Sequence, residues 1–499
     1  MSCSDKVTNN KTNNMPDSIS QRDELILYAI TQDYKVSEND ILNDLEDFLL
    51  QGDGDSVSHA KMSSRDDVNS KIVIRKNSVH SIPVKNNVLS NSKKAVNATE
   101  NDEINLFLYE TESSKGNGYA IVSDDMRVGE ILCVVDGEFE SDISDNEFMQ
   151  YYSEALQDHI KTTIELWESI TEKDIEEAKL KYGITDEDIA NAQNGAVQKR
   201  FWGWTYGEWE IRQTKFPLKT QWGEDAPYNL VAEKFSGYRY LMGTPTVAVS
   251  QLMAYYNYPQ TCNDSIKQKA IVTFDLLKNW DGKYDWNGMT KSDNIENCDE
   301  NSQLMIGTLL YQNKMELYES PLEHDDRISL QTVLDFLRNN GFEADDIKDY
   351  NFDNVDVSVS CKRPVLVSGY DSNDQRITKT KHGWWIFSYT DTTIENDYYG
   401  QAFWIIDAIR QKSRYNAYSI FWIPFWHYET KDFIHCNFGK DGKGNGWYYS
   451  GVFDIDKVMT DAEVAAKSVT QTTTSISDKG NYAYKLRTIC NIYPKNGGK

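Results

Sequence analysis

The stretch Gly243-Thr244-Pro245-Thr246-Val247-Ala248-Val249-Ser250-Gln251-Leu252-Met253-Ala254-Tyr255-Tyr256-Asn257-Tyr258-Pro259 organises the chain. It reads as a glycine turn followed by a helix. Thr244 is an N-cap type of residue, since its hydroxyl accepts a hydrogen bond from an early helical amide. Pro245 suits the first helical position, where no N–H is required. Val247, Ala248, Leu252 and Tyr255 recur at helical spacing and predict a buried face. Pro259 lies where the helix must already have ended. A central helix reached through a tight glycine turn is also a common way to present a nucleophile.

The chain has 499 residues, enough for two or three domains and a large core. Its net charge of −26 makes nucleic acid and anionic membrane surfaces poor partners. Its many aromatic residues fit a β-containing globular protein. No apolar run approaches the length of a membrane span. Cysteines stand at 3, 133, 262, 298, 361, 436 and 490. The number is odd and no Cys-x-x-Cys occurs, so neither a disulfide framework nor a zinc site is indicated. Most are expected to be small buried residues. No metal and no cofactor is expected.

Residues 1–20 read as a polar, Asn-rich tail that opens without a signal-peptide pattern. Ser37 and Asp40 approximate a capping box, with Ile41, Leu45, Phe48 and Leu49 following at helical spacing. Residues 51–70 read as a loop. Lys71–Arg75, Asn105–Tyr109, Gly118–Val122 and Gly129–Val135 are short runs bounded by turn residues, predicted to be strands of one antiparallel sheet. A long helix is predicted from Asp145, carrying Phe148, Tyr152, Ala155, Leu156 and Trp167. Asp186–Lys199 reads as a linker. The aromatic cluster Phe201, Trp202, Trp204, Tyr206 and Trp209 after it is expected to pack against a neighbouring domain.

The helix stretch resembles the active-site helix of the streptopain-like cysteine peptidases. That family shows Gly-Cys-Val-Ala-Thr-Ala, then a Gln and a Tyr-Pro ending. Gly243, Ala248, Gln251, Met253, Tyr255, Asn257, Tyr258 and Pro259 match. The resemblance runs collinearly from Lys219 to Pro494. Asn105–Phe139, with Gly118-Tyr119-Ala120-Ile121-Val122-Ser123 and the Gly137-Glu138-Phe139 turn, is similar to the family's inhibitory propeptide. A generic small α+β domain would share that local pattern. The resemblance implies an α+β fold: a propeptide-like antiparallel sheet with helices at 21–185, a linker at 186–200, and a papain-like helix and antiparallel sheet domain at 201–499.

A cysteine peptidase needs a thiolate at a helix N-terminus, an imidazole within reach and donors aimed at the developing oxyanion. The family's Cys falls on Thr244, an alcohol that needs an adjacent base to act as a nucleophile. Its His, in Gly-His-Ala-Phe/Trp-Val-x-Asp-Gly, falls on Gln401, whose amide takes no proton near neutrality. General base catalysis is worth roughly 10²–10⁴ in rate. Its oxyanion-hole Gln falls on Glu224, in Trp222-Gly223-Glu224-Asp225-Ala226-Pro227-Tyr228-Asn229. An ionised carboxylate donates nothing, and losing one such donor typically costs about 3–4 kcal/mol in the transition state. In His435-Cys436-Asn437-Phe438-Gly439-Lys440, Asn437 and Gly439 keep the family pattern, while Phe438 and Lys440 replace tryptophans. His435 matches the family's strand histidine, and neighbouring strand residues point to opposite faces, so His435 and Cys436 read as structural.

Two aromatic segments exceed the family norm: Asp371–Tyr399, with Trp384 and Trp385, and Arg410–Thr430, with Trp422 and Trp426. They read either as recognition loops or as extra hairpins. The first is expected at the cleft rim, where Trp384 and Trp385 contact a ligand, and the second away from the cleft. The leading expectation is a pseudopeptidase that keeps the zymogen fold to bind a protein or peptide. Two alternatives stand beside it. One is an active hydrolase with Thr244 as nucleophile and Glu224 as base. The other is an inhibitor or decoy for an active relative. Family members are exported bacterial proteins, and Ser2-Cys3-Ser4 looks like a lipoprotein junction. The expected location is therefore the cell envelope, as an outer-membrane lipoprotein, or the extracellular space. Membrane contact is expected only through a lipid on Cys3; an ordinary tail cysteine is the equal alternative.

Overall fold

In a computed structural model of the chain, the N-terminal half is built from the elements that its periodicity predicts. The structure describes residues 26, 35–50, 72–84, 102–113, 116–125, 127–137, 147–168, 170–187, 189, 205–206, 210–215, 218–318, 328–369, 376–382, 389–395, 402–420, 423–453 and 486–495. Helix α1 is Glu38–Leu50, with Ile41, Leu45 and Phe48 buried. Ser37 Oγ accepts the Asp40 amide at 3.2 Å, the capping bond expected from the sequence. Strands β1 (Val73–Val84), β2 (Asp102–Ser113), β3 (Gly116–Ser123) and β4 (Ile131–Asp136) pair antiparallel in chain order. They are longer than their apolar runs, because pairing continues into the polar flanks. Helices α2 (Glu147–Glu168) and α3 (Glu172–Tyr182) follow. Thr171 and Asp174 form a full capping box on α3, and Gly183 ends it in the left-handed conformation.

The C-terminal half begins with β5 (Thr205–Tyr206) and β6 (Glu210–Lys215), then α4 (Leu230–Ser236) and α5 (Thr244–Tyr256). Helices α6 (Asp264–Thr273), α7 (Glu300–Leu317) and α8 (Leu330–Asn339) come next, then β7 (Phe342–Glu343), β8 (Lys348–Asp349), α9 (Phe352–Ser360) and β9 (Val365–Gly369). Strands β10 (Arg376–His382) and β11 (Tyr389–Glu395) form a hairpin of their own. The long strands β12 (Ala402–Ile420) and β13 (Ile423–Asn437) pair along almost their full length. Strands β14 (Gly446–Tyr449), β15 (Arg487–Ile489) and β16 (Tyr493–Pro494) complete the described strands.

Twelve of these strands form a single antiparallel sheet, in the order β1-β2-β3-β4-β14-β13-β12-β9-β15-β8, with β5 and β6 also on β12. One edge of β12 meets β13. Its other edge is shared in succession by β9 at 402–406, β6 at 408–413 and β5 at 416–417. The sheet crosses between the halves where β4 pairs with β14. Helix α5 packs between α7 and the start of β12. The architecture is α+β, as expected, with a central helix lying against an antiparallel sheet.

Two sequence expectations need correction. Helix α5 is buried on all sides rather than along one face, and Tyr255, assigned to the buried face, is its half-exposed exception. A helix sandwiched between a sheet and other helices has no solvent face to mark with polar residues. Thr244 is the first helical residue; Gly243, at φ 85°, holds the N-cap position, and its carbonyl accepts the Val247 amide at 3.1 Å. Of the two readings of the aromatic segments, the hairpin one holds for the described residues, with β10 paired to β11 and β12 to β13, as alternating Thr, Tyr and Ile favour. Of the cysteines, Cys133, Cys262, Cys298, Cys436 and Cys490 are buried and Cys361 is half-buried. Cys3 and most of the linker at 186–200 lie outside the described residues.

Candidate active site

Of the positions read from the sequence, Glu224, Thr244, Asn437 and Lys440 gather around the N-terminus of α5. Gly243 turns the chain with positive φ, and Thr244 is 2% exposed. Thr244 Oγ1 accepts the backbone amide of Phe403 at 3.1 Å. Strand β13 ends opposite Ile405, and Thr244 reaches β12 two residues before that point. The hydroxyl thus ties the helix start to the sheet. It does this in place of the cap expected from the sequence.

Glu224 is 9% exposed, and its carboxylate is ion-paired with the Lys440 ammonium. Its carbonyl accepts the Met242 amide at 2.8 Å, which fixes the 224 segment against the turn leading to Thr244. The sequence reading took them as separate replacements, a carboxylate that donates nothing and a lysine in place of a tryptophan. The structure makes them one neutralised pair.

Asn437 lies beneath, buried at the end of β13. Its Oδ1 accepts Gln251 Nε2 at 3.1 Å and the Gly439 amide at 3.2 Å. Its Nδ2 donates to the Thr220 carbonyl at 2.9 Å. Gln251 Oε1 in turn accepts the Trp222 amide at 3.1 Å. Helix α5, strand β13 and the 220–224 segment are therefore locked by two side-chain amides. Gly439, at φ 66°, has no room for a side chain: a Cβ there would stand 2.8 Å from Val247 Cγ1. Phe438 is in the core between Trp404 and Tyr448, with ring centroids at 5.8 and 5.7 Å. Gln401, Trp384 and Trp385 lie outside the described residues.

His435 and Cys436 diverge as the strand alternation requires. His435 Nδ1 lies 2.6 Å from Asp407 Oδ1. Cys436 is fully buried, and burial, reinforced by the negative charge of Asp407, pushes its thiol well above the usual range. It carries no thiolate near neutrality and is chemically inert.

Sequence reading missed two contacts. Asp407 is the extra residue of a β-bulge between Ile406 and Ala408, at the point where the neighbour of β12 changes from β9 to β6. The bulge re-aims its carboxylate, which also accepts the Leu218 amide at 2.7 Å. Asp441 Oδ1 accepts Tyr228 Oη at 2.8 Å and Asn294 Nδ2 at 3.2 Å, holding the 439–442 turn on the 221–228 segment. Burial, and then this carboxylate, raise the Tyr228 phenol above its ordinary range. No local pattern announces either contact, since each joins residues far apart in sequence.

Comparison with known families places the geometry. Residues 222–448 match the model of the Peptidase C10 family. The matched stretch includes Glu224, Thr244, Asn437 and Lys440. No curated protein sequence matches the chain. Among solved structures, a fragment of Prevotella intermedia prointerpain A is 15% identical, covering 79% of this chain and 96% of that one at a TM-score of 0.39. The active interpain A cysteine protease of the same organism is 14% identical, covering 56% of this chain and 94% of that one at a TM-score of 0.28.

Proposed function

We propose that the chain is a pseudopeptidase: a C10-family fold that keeps its peptidase frame, with a propeptide-like N-terminal half, as a module for binding a protein or peptide. The observation that carries this reading is the use made of the nucleophile position. Thr244 offers its oxygen to a backbone amide of the sheet. A group that holds a helix against a sheet is poorly placed to attack a carbonyl. Glu224, where the family has a donor to the oxyanion, is committed to Lys440. The hydrolase alternative, with Glu224 taking a proton from Thr244, requires that ion pair to break. The rest of the frame, Gln251, Asn437 and Gly439, is intact, which supports retention of the fold for binding. Export to the cell envelope, with a lipid on Cys3 as the membrane attachment, belongs to the same reading.

Restoring the chemistry should take more than one change. Peptidase activity on casein is expected only in the triple variant Glu224→Gln/Thr244→Cys/Gln401→His. Robust, thiol-reagent-sensitive activity in Thr244→Cys alone would overturn the reading, because it would show that a base already stands in the site.

A further inference from the structure

We propose that the N-terminal half is a permanent subunit of this fold, one that remains bound to the C-terminal half after the connecting segment is cut. This concerns assembly and is independent of whether the site turns over substrate. Three kinds of contact carry it.

The first is backbone pairing. Gly446, Trp447 and Tyr448 of β14 are in register with Val135, Val134 and Cys133 of β4. The Asp136 amide extends the ladder to the Asn445 carbonyl at 2.9 Å. Removing β4 would strip the edge of a sheet interior and leave an unpaired row of amides and carbonyls.

The second is a shared core. One apolar cluster joins Ile104, Leu106 and Tyr152 to Trp404, Phe438 and Tyr448. The Tyr152 and Tyr448 rings meet edge to face at 4.9 Å, and Tyr152 Oη donates to the Leu132 carbonyl at 2.9 Å. An interface made of a divided core is the kind found in obligate assemblies.

The third is charge. Arg410 and Lys412 of β12 are each 1% exposed. Helix α1 supplies a carboxylate to one and a carbonyl and a ring to the other. Lys412 Nζ donates to Asp44 Oδ1 at 2.5 Å. Arg410 Nη1 donates to the Phe48 carbonyl at 3.0 Å, and its guanidinium lies over the Phe48 and Trp447 rings at 4.1 and 4.5 Å. Lys431 of β13 is ion-paired with Glu130 of the N-terminal half. Release of that half would take away Asp44, Glu130 and the Phe48 carbonyl and ring, while Arg410 would keep Trp447 and Gln213, whose Oε1 accepts Arg410 Nε at 2.7 Å. A partner designed to leave would be expected to leave a self-sufficient surface; this seam instead divides ion pairs and a core between the two halves.

The test places a specific protease site at 190–195 in the full chain and cuts it. The two fragments are expected to co-elute at the volume of the uncut protein, at about 10 nM protein and in about 1 M NaCl, and to melt in a single transition. Separate elution or two melting steps would overturn the proposal. The clipped Asp44→Lys variant is expected to shed its N-terminal fragment at least about tenfold faster, because a cation then faces Lys412. An unchanged rate would also overturn it, since the charged seam would then hold nothing. Turnover of casein by the clipped complex bears on the pseudopeptidase reading alone.

Discussion

Strand β12 passes through two polar regions that are built on different terms. At its start, the cleft residues satisfy one another within the C-terminal half: Thr244 with Phe403, Glu224 with Lys440, Gln251 with Asn437. Seven and nine residues beyond Phe403, Arg410 and Lys412 take partners from α1 of the other half. Both members of the cleft ion pair keep some solvent contact, at 11% and 18% exposed; at the seam Asp44 is 20% exposed, but Lys412 only 1%. Water softens the loss of a partner in the first case and not in the second. The comparison teaches that Thr244, Glu224 and Gln251 find their partners within one half, while the most deeply buried charged side chains take theirs across the seam between the halves.

Substitutions should follow that ranking. Asp44→Ala leaves the Lys412 ammonium buried without its carboxylate and should cost about 3–5 kcal/mol in urea unfolding. A loss under about 1 kcal/mol would remove the distinction between the regions. Acid should act on the same contact. Burial alone would raise the Asp44 carboxyl, but Lys412, with Lys431 and Arg414, outweighs burial and holds it below its ordinary value. A lowered folded pKa stabilises above the unfolded value and loses that contribution as pH falls. The pH-dependent part of the difference between wild type and Asp44→Asn should therefore shrink below about pH 4. A difference that is constant from pH 7 to pH 3 would contradict the assignment.

At the cleft, Thr244→Ala leaves the buried Phe403 amide without this acceptor and should cost about 1–3 kcal/mol, with Thr244→Ser restoring most of it. Failure of serine to restore stability would show that the methyl group, not the hydroxyl, carries the contact. Lys440→Met should cost less, about 1 kcal/mol, because Glu224 retains access to water. The smallest effect is a null one. Cys436 should resist alkylation at pH 8 in the native protein and react only on unfolding. Rapid native labelling would reopen the His435–Cys436 pair as a chemical site.

Much of the fold was legible in the sequence because the signals are local. The Ser37 cap, the stripe Ile41, Leu45 and Phe48, the four N-terminal strands and the Gly243 turn each depend on residues within a few positions of one another. The proximity of Glu224, Thr244, Asn437 and Lys440 was legible through motif spacing, whereas Phe438, read as a cleft position, lies in the core between Trp404 and Tyr448. What those residues touch was not. The Thr244–Phe403 bond, the Glu224–Lys440 pair and the Asp407 bulge join positions separated by up to 216 residues. The burial of Arg410 and Lys412 was hidden for a related reason, since their partners come from a helix that the sequence places in a separate half.

The central claim is that the nucleophile position has become a structural one, and hydrolysis of labelled casein by the wild type and by Thr244→Ala tests it most directly. The account predicts that both match the buffer blank over a prolonged incubation. Turnover by the wild type that disappears in a folded Thr244→Ala protein would contradict it.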